Sequence, residues 1–298
     1  MRIDPEQAPN RPSRRRRLIR PRTVFIIAFG VLAVAGAFIA ARFPPFGGSI
    51  EDKIAYERAD RLWRTTSGLP LPGAPDTSRL TERLAEHGVR EGAPVLVRIF
   101  KKEFELELWI RRDGAFHRFV TYPICRWSGT LGPKFKEGDG QAPEGFYSVD
   151  AKALNPNSSY YRSFNVGYPN AFDVANGRTG SLIMVHGACA SVGCFAMTND
   201  QMGEIWRLVT AALSGGQKRF QVQIYPFRMT DDALKAQADH PAHPFWTVLK
   251  RGNDLFEASS LPPRVSVCRG GYRFSNAGVY LDGDGGIENS CSENFDKS

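Results

Sequence analysis

Apolar and polar residues alternate along residues 94–110, a pattern typical of β-strands with one buried face. The charged residues 101–103 separate two such runs, so we predict an antiparallel hairpin. Further strand-like runs lie at residues 116–124, 145–149, 181–185 and 220–225. The sequence therefore predicts a mainly β domain with some helix (α+β).

The sequence predicts one helix that begins near residue 198, shortly after the strand-like run at residues 181–185. Thr198 is suited to cap a helix, and Gln201 three residues later completes a capping box. Apolar residues then recur on one helical face until Gly215 and Gly216 end the pattern. We expect this helix to pack on the sheet.

The longest apolar run, residues 23–41, contains no charged residue and is long enough to cross a bilayer. Residues 1–22 carry eight arginines against two acidic residues, so they hold six of the eight net positive charges. Because positive flanks stay in the cytoplasm, we predict a single-pass inner-membrane anchor that places residues 42–298 in the periplasm or cell envelope. A cleaved signal peptide, ending near small residues 35–41, remains the alternative, and it exports the same residues.

The remaining segments differ in composition. A Pro/Gly/Ser-rich stretch at residues 65–78 indicates a linker, and the last 24 residues are rich in Gly, Asp, Ser and Asn. The near-neutral charge beyond the N-terminal arginines argues against a nucleic-acid partner. We predict a basic cytoplasmic tail (1–22), a transmembrane anchor (23–41), a stalk or linker with short helices (42–93), a catalytic domain (94–227), a C-terminal extension (228–274) and a disordered tail (275–298).

The chain has five cysteines, Cys125, Cys189, Cys194, Cys268 and Cys291. Thiols outside the cytoplasm tend to be oxidised, and an odd number leaves at least one unpaired within the chain. If one thiol is kept free for chemistry, the other four allow three pairings, which the sequence leaves open.

The stretch SLIMVHGACASVGCFAMT (181–198) joins a strand, a small-residue loop and the capped helix. Cys194 is the candidate nucleophile, because turn amides and the helix N-terminus favour a thiolate. His186 is the candidate base, and the Gly187 carbonyl is placed to fix its tautomer. Ser191 lies in the same loop, and the amides of Gly193 and Cys194 are candidate donors to an oxyanion.

Two other interpretations of this stretch are open. His186, Cys189 and Cys194 could bind zinc, although no fourth ligand is evident. Cys189 and Cys194 could instead form a short-loop disulfide. Neither hypothesis explains the glycines.

These motifs resemble the YkuD-type L,D-transpeptidase domain, in which HG is followed by SxGC at a strand-to-helix turn. The strings EGDGQAPEGFY (137–147), FNVGYPNAFD (164–173) and VHGACASVGCFAMT (185–198) look like its YafK-like subgroup. The resemblance covers residues 94–227, with a weaker echo at 244–257, and implies a β-sandwich-like catalytic domain. It also implies an acyl-enzyme on cysteine, with Cys194 as nucleophile, His186 as base, Gly187 as the backbone partner of the histidine, and Ser191 and Gly193 shaping the oxyanion turn.

The chain departs from the general family at two positions. Val192 stands where the family often has a second histidine, and Ala196 where it usually has an arginine. Another cation must then bind a substrate carboxylate, and Arg162 and Arg178 are nearest in sequence to the motif. We also expect Tyr168 to contribute to the wall of the substrate cleft.

The resemblance implies a peptidoglycan L,D-transpeptidase that acts on stem peptides and needs no metal or organic cofactor. An alternative with the same residues is a hydrolase that releases a lipoprotein from peptidoglycan. An alternative of another class is a non-catalytic peptidoglycan-binding envelope protein. The expected partners are stem peptides, a peptidoglycan-linked lipoprotein and the membrane through residues 23–41, with no nucleic acid.

Overall fold

The predicted hairpin is present in the computed structural model, which describes residues 48–276, 287–289 and 291. Its strands pair antiparallel, with Val97 opposite Leu108. Contacts divide the chain into two units, Met1–Asp52 and Lys53–Ser298, and of the first only residues 48–52 are described. The fold and the site below are those of the second unit.

The helices and strands are as follows in chain order. The helices are α1 (Ile50–Thr66), α2 (Leu80–Glu86), α3 (Ala171–Ala175), α4 (Asn199–Ser214), α5 (Asp231–Lys235) and α6 (His243–Ser259). The strands are β1 (Val95–Phe100), β2 (Glu105–Arg112), β3 (Ala115–Pro123), β4 (Arg126–Trp127), β5 (Gly145–Asp150), β6 (Leu154–Ser158), β7 (Tyr161–Asn165), β8 (Met184–His186), β9 (Phe195–Ala196), β10 (Arg219–Tyr225), β11 (Arg264–Cys268), β12 (Gly271–Ser275) and β13 (Glu288–Asn289).

Three sheets organise the domain. The first has the strand order β3-β2-β1-β10-β5, the second β4-β9-β8-β7-β6, and the third β12-β11-β13. The two five-stranded sheets contact each other at Phe164 on β7 and Phe220 on β10, with ring centroids 5.4 Å apart. Helix α4 begins with the predicted capping box of Thr198 and Gln201 and buries its apolar face. The mixed helix and sheet composition is therefore confirmed.

The described residues contain no helix that is long and apolar enough to span a membrane. The predicted anchor at residues 23–41 and the basic tail at residues 1–22 lie outside the described residues.

The segment expected to be a stalk packs against the β domain. On α1, the Arg61 guanidinium donates to the Ile124 carbonyl oxygen at 2.9 Å, and the Arg58 guanidinium lies 4.3 Å from the centroid of the Trp127 ring. The apolar Trp63 is instead about half exposed. Long arginine side chains, and not only apolar residues, therefore form the buried side of α1 in the segment predicted to be a stalk or linker.

The tail expected to be disordered, residues 275–298, is partly tied to the domain. Strand β13 pairs with β11, and Cys291 forms a disulfide with Cys268. Composition alone predicted neither this disulfide nor the backbone pairing of Glu288–Asn289.

A buried ion pair fixes the long loop between β4 and β5. Lys101 Nζ donates to Glu144 Oε1 at 2.9 Å and to the carbonyl oxygens of Gly132 and Ala142 at 2.9 and 3.1 Å. Glu144 also accepts from the Gly132 amide at 2.7 Å and from Trp246 Nε1 at 2.7 Å. Both charged side chains are fully buried, and the pair joins the first sheet, the loop and helix α6.

We expect Lys101→Met to lower the free energy of unfolding by about 3–5 kcal/mol, because it leaves the Glu144 carboxylate buried without its countercharge. Urea denaturation followed by circular dichroism measures the change. Lys102→Met is the matched control, since the neighbouring Lys102 side chain is exposed. Equal losses in the two variants would contradict the role given to the buried pair.

Candidate active site

Strands β8 and β9 bring the two candidate catalytic residues to one face of the second sheet. The strands run parallel, with Val185 opposite Phe195 and His186 opposite Ala196. Side chains two residues apart on a strand share a face, so Cys194 lies on the same face as Ala196 and His186. Cys194 and His186 both line a cavity of about 600 Å³.

The loop between the two strands is held in a bent conformation by three contacts. A disulfide joins Cys189 to Cys125, and the Ser191 hydroxyl donates to the Cys194 carbonyl oxygen at 2.6 Å. Gly193 has a φ of +91°, which a residue with a side chain rarely adopts, and its amide donates to Ser128 Oγ. The loop therefore presents Cys194 from a fixed turn.

The Cys194 thiol is half-buried and unoxidised. Its Sγ accepts from the Met184 amide at 3.4 Å and lies 3.7 Å from the Leu182 carbonyl oxygen. Burial raises the pKa of this thiol, while the Met184 amide and the Lys134 charge act in the opposite direction. Strand β9 separates Cys194 from helix α4, so desolvation outweighs the expected effect of the helix N-terminus on the pKa of this thiol.

His186 is 3% exposed, and its Nδ1 lies 2.6 Å from the Gly187 carbonyl oxygen. A carbonyl only accepts, so this contact places the imidazole proton on Nδ1 and leaves Nε2 unprotonated in the neutral ring. Burial lowers the pKa of His186, and the Gly187 carbonyl raises it by less. The resting site therefore pairs a neutral thiol with a neutral imidazole.

Gly187, next to His186 in the chain, is closely surrounded by other residues. A Cβ at residue 187 would come within 2.6 Å of Asn199 Oδ1 and 3.0 Å of the Tyr161 Cβ. The Gly187 amide also donates to the Tyr160 carbonyl oxygen at 3.1 Å. A glycine is needed here for close packing, which keeps its carbonyl against His186.

The sequence has relatives over the residues that build this site. The family model described as the L,D-transpeptidase catalytic domain (YkuD) matches residues 96–224. A candidate L,D-transpeptidase, YafK of Escherichia coli K12, is 48% identical over 181 residues, which make up 61% of this chain and 74% of that protein.

The chain belongs to the L,D-transpeptidase catalytic domain (YkuD) family. Among solved structures, the helical cell shape determining protein Pgp2 from Campylobacter jejuni is 25% identical, with a TM-score of 0.37 over 50% of this chain and 55% of that one. Bd1075 of Bdellovibrio bacteriovorus is 16% identical, with a TM-score of 0.34 over 58% of this chain and 76% of that one.

The three predicted substrate-binding residues do not line the Cys194 cavity of this YkuD domain. The Arg162 guanidinium lies over the rings of Tyr161 and Trp206, at 5.4 and 5.8 Å from their centroids. Arg178 donates to Asp173 Oδ1 at 2.8 Å and lines a second cavity. The buried Tyr168 hydroxyl donates to the backbone carbonyl oxygens of Lys134 and Thr179, so it connects two loops.

The disulfide pattern removes both rival interpretations of the motif. Cys189 is bonded to Cys125, so it is available neither to zinc nor to Cys194. Among the described residues there is no group of His, Cys, Asp or Glu side chains placed to hold a metal ion.

Three polar residues of the site were not predicted from the sequence. Arg126 and Ser163 line the cavity of the YkuD domain, and Ser128 accepts from the Gly193 amide. All three lie at least 30 residues from Cys194 in the chain, so no local spacing links them to the motif. The long-range pairing of β4 with β9 and of β7 with β8 brings them there.

We expect alkylation of Cys194 by iodoacetamide to accelerate with pH around a midpoint above about 8.5, the ordinary pKa of a cysteine thiol. The reagent attacks the thiolate, and burial makes that form less abundant at any given pH. Mass spectrometry of the unreduced protein measures the rate between pH 6 and 11, and Cys194→Ser checks that the adduct is on Cys194. A midpoint at or below 8.5 would indicate a stabilised thiolate and contradict the neutral pair.

Proposed function

We propose that this chain is a peptidoglycan L,D-transpeptidase that acts through an acyl-enzyme on Cys194. The observation that carries the proposal is a single free thiol, out of five cysteines, in the same cavity as a neutral histidine with a free Nε2. Membership of the YkuD family supports an enzyme that acts on peptidoglycan.

In the proposed reaction, His186 Nε2 takes the proton of the Cys194 thiol as Sγ attacks the carbonyl carbon of the third, diamino-acid residue of a stem peptide. The tetrahedral intermediate collapses when the C–N bond breaks and the imidazolium returns its proton to the leaving amine. A thioester then links the stem peptide to Cys194. Because thiol and imidazole start neutral, proton transfer accompanies the attack and needs no preformed ion pair.

The oxyanion of this intermediate is assigned to the amides of Cys194 and Gly193. In the resting structure the Gly193 amide is engaged by Ser128 Oγ. Use of this amide therefore requires the oxyanion to replace the Ser128 hydroxyl as its acceptor. An oxyanion is the stronger acceptor, which favours the exchange as charge develops.

The thioester has two fates. Attack by an amine gives a cross-link or an attached protein, whereas attack by water gives hydrolysis of the same bond. The second fate makes the chain a hydrolase that releases a lipoprotein from peptidoglycan. Both use the Cys194 and His186 roles derived above, and they differ only in the acceptor that enters the cavity.

The proposed location is the cell envelope, with residues 23–41 as the membrane anchor. Two disulfides, Cys125–Cys189 and Cys268–Cys291, support an oxidising compartment. The arginine-rich residues 1–22 and the uncharged run that follows support an anchor with its N-terminus in the cytoplasm.

Incubation of the full-length protein with tetrapeptide muropeptides and with a lysine-linked lipoprotein fragment tests the proposal by mass spectrometry. Cross-linked dimers are the expected products of transfer, and release of the fragment with gain of water is the product of hydrolysis. Cys194→Ala should abolish both, and His186→Gln should slow them about 10²- to 10⁴-fold, the usual contribution of a general base.

The rival function, a non-catalytic peptidoglycan-binding protein, predicts the opposite pattern. Binding to purified peptidoglycan would survive Cys194→Ser, and no acyl adduct would form on Cys194 in the native protein. That combination would overturn the enzymatic proposal.

A further inference from the structure

Five residues form a continuous row across the second sheet. Strand register places Arg126 opposite Ala196, Ala196 opposite His186, His186 opposite Ser163, and Ser163 opposite Asn155. Residues directly opposite on neighbouring strands present their side chains to the same face. The row therefore runs along the floor of the Cys194 cavity, which all of its members except Ala196 line.

The cavity carries one permanent charge. Arg126 is exposed, and its guanidinium forms neither an ion pair nor a hydrogen bond with any residue that the structure describes. The described lining includes no Asp or Glu, and His186 is neutral because burial lowers its pKa. A positive cavity with an unpaired guanidinium suits an anion, and the planar fork of arginine matches a carboxylate.

Ser163 supplies a second, independent sign of a ligand on the other side of His186. Its side chain is 1% exposed, and its Oγ has no hydrogen-bond partner among the described residues. Buried hydroxyl groups are nearly always hydrogen-bonded, so an unsatisfied one in a cavity wall indicates a partner that binds there.

The spacing of the strands in this row also gives the distance between Arg126 and His186. Neighbouring strands lie about 4.8 Å apart, so the Arg126 backbone is about 10 Å from that of His186, across Ala196. Ala196, the residue between them, has the smallest side chain in the row. A carboxylate bound there lies within about two residues of the reacting carbonyl on an extended peptide.

We propose that Arg126 binds a carboxylate of the donor peptide, one or two residues from the bond that is cleaved, while Ser163 hydrogen-bonds the peptide on the opposite side of His186. The identity of the peptide rests on the proposed function. The preference of the cavity for an anion does not depend on the proposed function, and a separate experiment tests it.

The anion preference is measured with two alkylating reagents of similar shape, iodoacetate and iodoacetamide, of which only the first carries a carboxylate. The other four cysteines are in disulfides, so the unreduced full-length protein reacts at Cys194. We expect Arg126→Gln to lower the ratio of the iodoacetate rate to the iodoacetamide rate about three- to tenfold. Added NaCl should lower this ratio in the native protein and leave it unchanged in the variant.

Arg162→Gln is the matched control, because Arg162 loses the same charge from the same sheet but does not line the cavity. Arg126→Lys should keep part of the preference, because it retains the charge without the bidentate fork. The proposal is overturned if Arg126→Gln leaves the ratio unchanged, or if Arg162→Gln lowers it equally.

The peptide part is measured with stem peptides whose carboxylates are amidated one at a time. Removal of the carboxylate that Arg126 binds should raise KM for the native protein. Arg126→Gln should raise KM for the unmodified peptide to about the value for the amidated peptide and leave the latter unchanged, so that the difference between them disappears. Ser163→Ala should lower turnover of both peptides alike. A KM difference between the two peptides that persists in Arg126→Gln overturns the assignment of Arg126 as the carboxylate-binding residue. Absence of turnover in every protein instead contradicts the proposed function, and the alkylation result is unaffected by it.

Discussion

The buried pair of Lys101 and Glu144 is the constraint on which the geometry of the site depends. It closes the loop that follows β4, and the Ala142 amide on that loop donates to the Ser128 carbonyl oxygen at 3.0 Å. Ser128 in turn holds the Gly193 amide beside Cys194. A fully desolvated ion pair is tolerated only when its hydrogen bonds are satisfied, and here carbonyls, an amide and an indole satisfy them. The position of the nucleophile thus depends on charges far from it in sequence.

Desolvation also shifts the pKa values of the two candidate catalytic residues, Cys194 and His186. Burial penalises charge in either sense, so it raises the pKa of Cys194 and lowers that of His186. Many cysteine enzymes stabilise a thiolate with a nearby cation. In this cavity the Arg126 guanidinium belongs to β4, which is separated by β9 from the strand of His186. A thiol held in its neutral form is less reactive toward oxidants than a thiolate.

The local parts of this site could be predicted from the sequence, and the distant parts could not. Cys194, His186 and the cap of helix α4 lie within fifteen residues, where strand, turn and capping rules apply directly. Arg162 was selected because it is close in sequence, but its neighbour Ser163 faces the cavity, and alternation along β7 turns Arg162 away. Arg126 reaches the site only through the pairing of β4 with β9, which no periodicity encodes.

The described residues that follow the matched region 96–224 pack against the scaffold of the site. Trp246 on α6 donates to Glu144, and the Tyr272 hydroxyl on β12 accepts from Asn170 Nδ2 at 2.9 Å. The Tyr272 ring also stacks on Phe172, with centroids 4.1 Å apart. These contacts cover the end of β5 and the loop that carries Glu144, which would otherwise expose an ion pair to water. An extension that looks separate in sequence therefore supplies the low-dielectric surroundings that give the Lys101–Glu144 pair its strength.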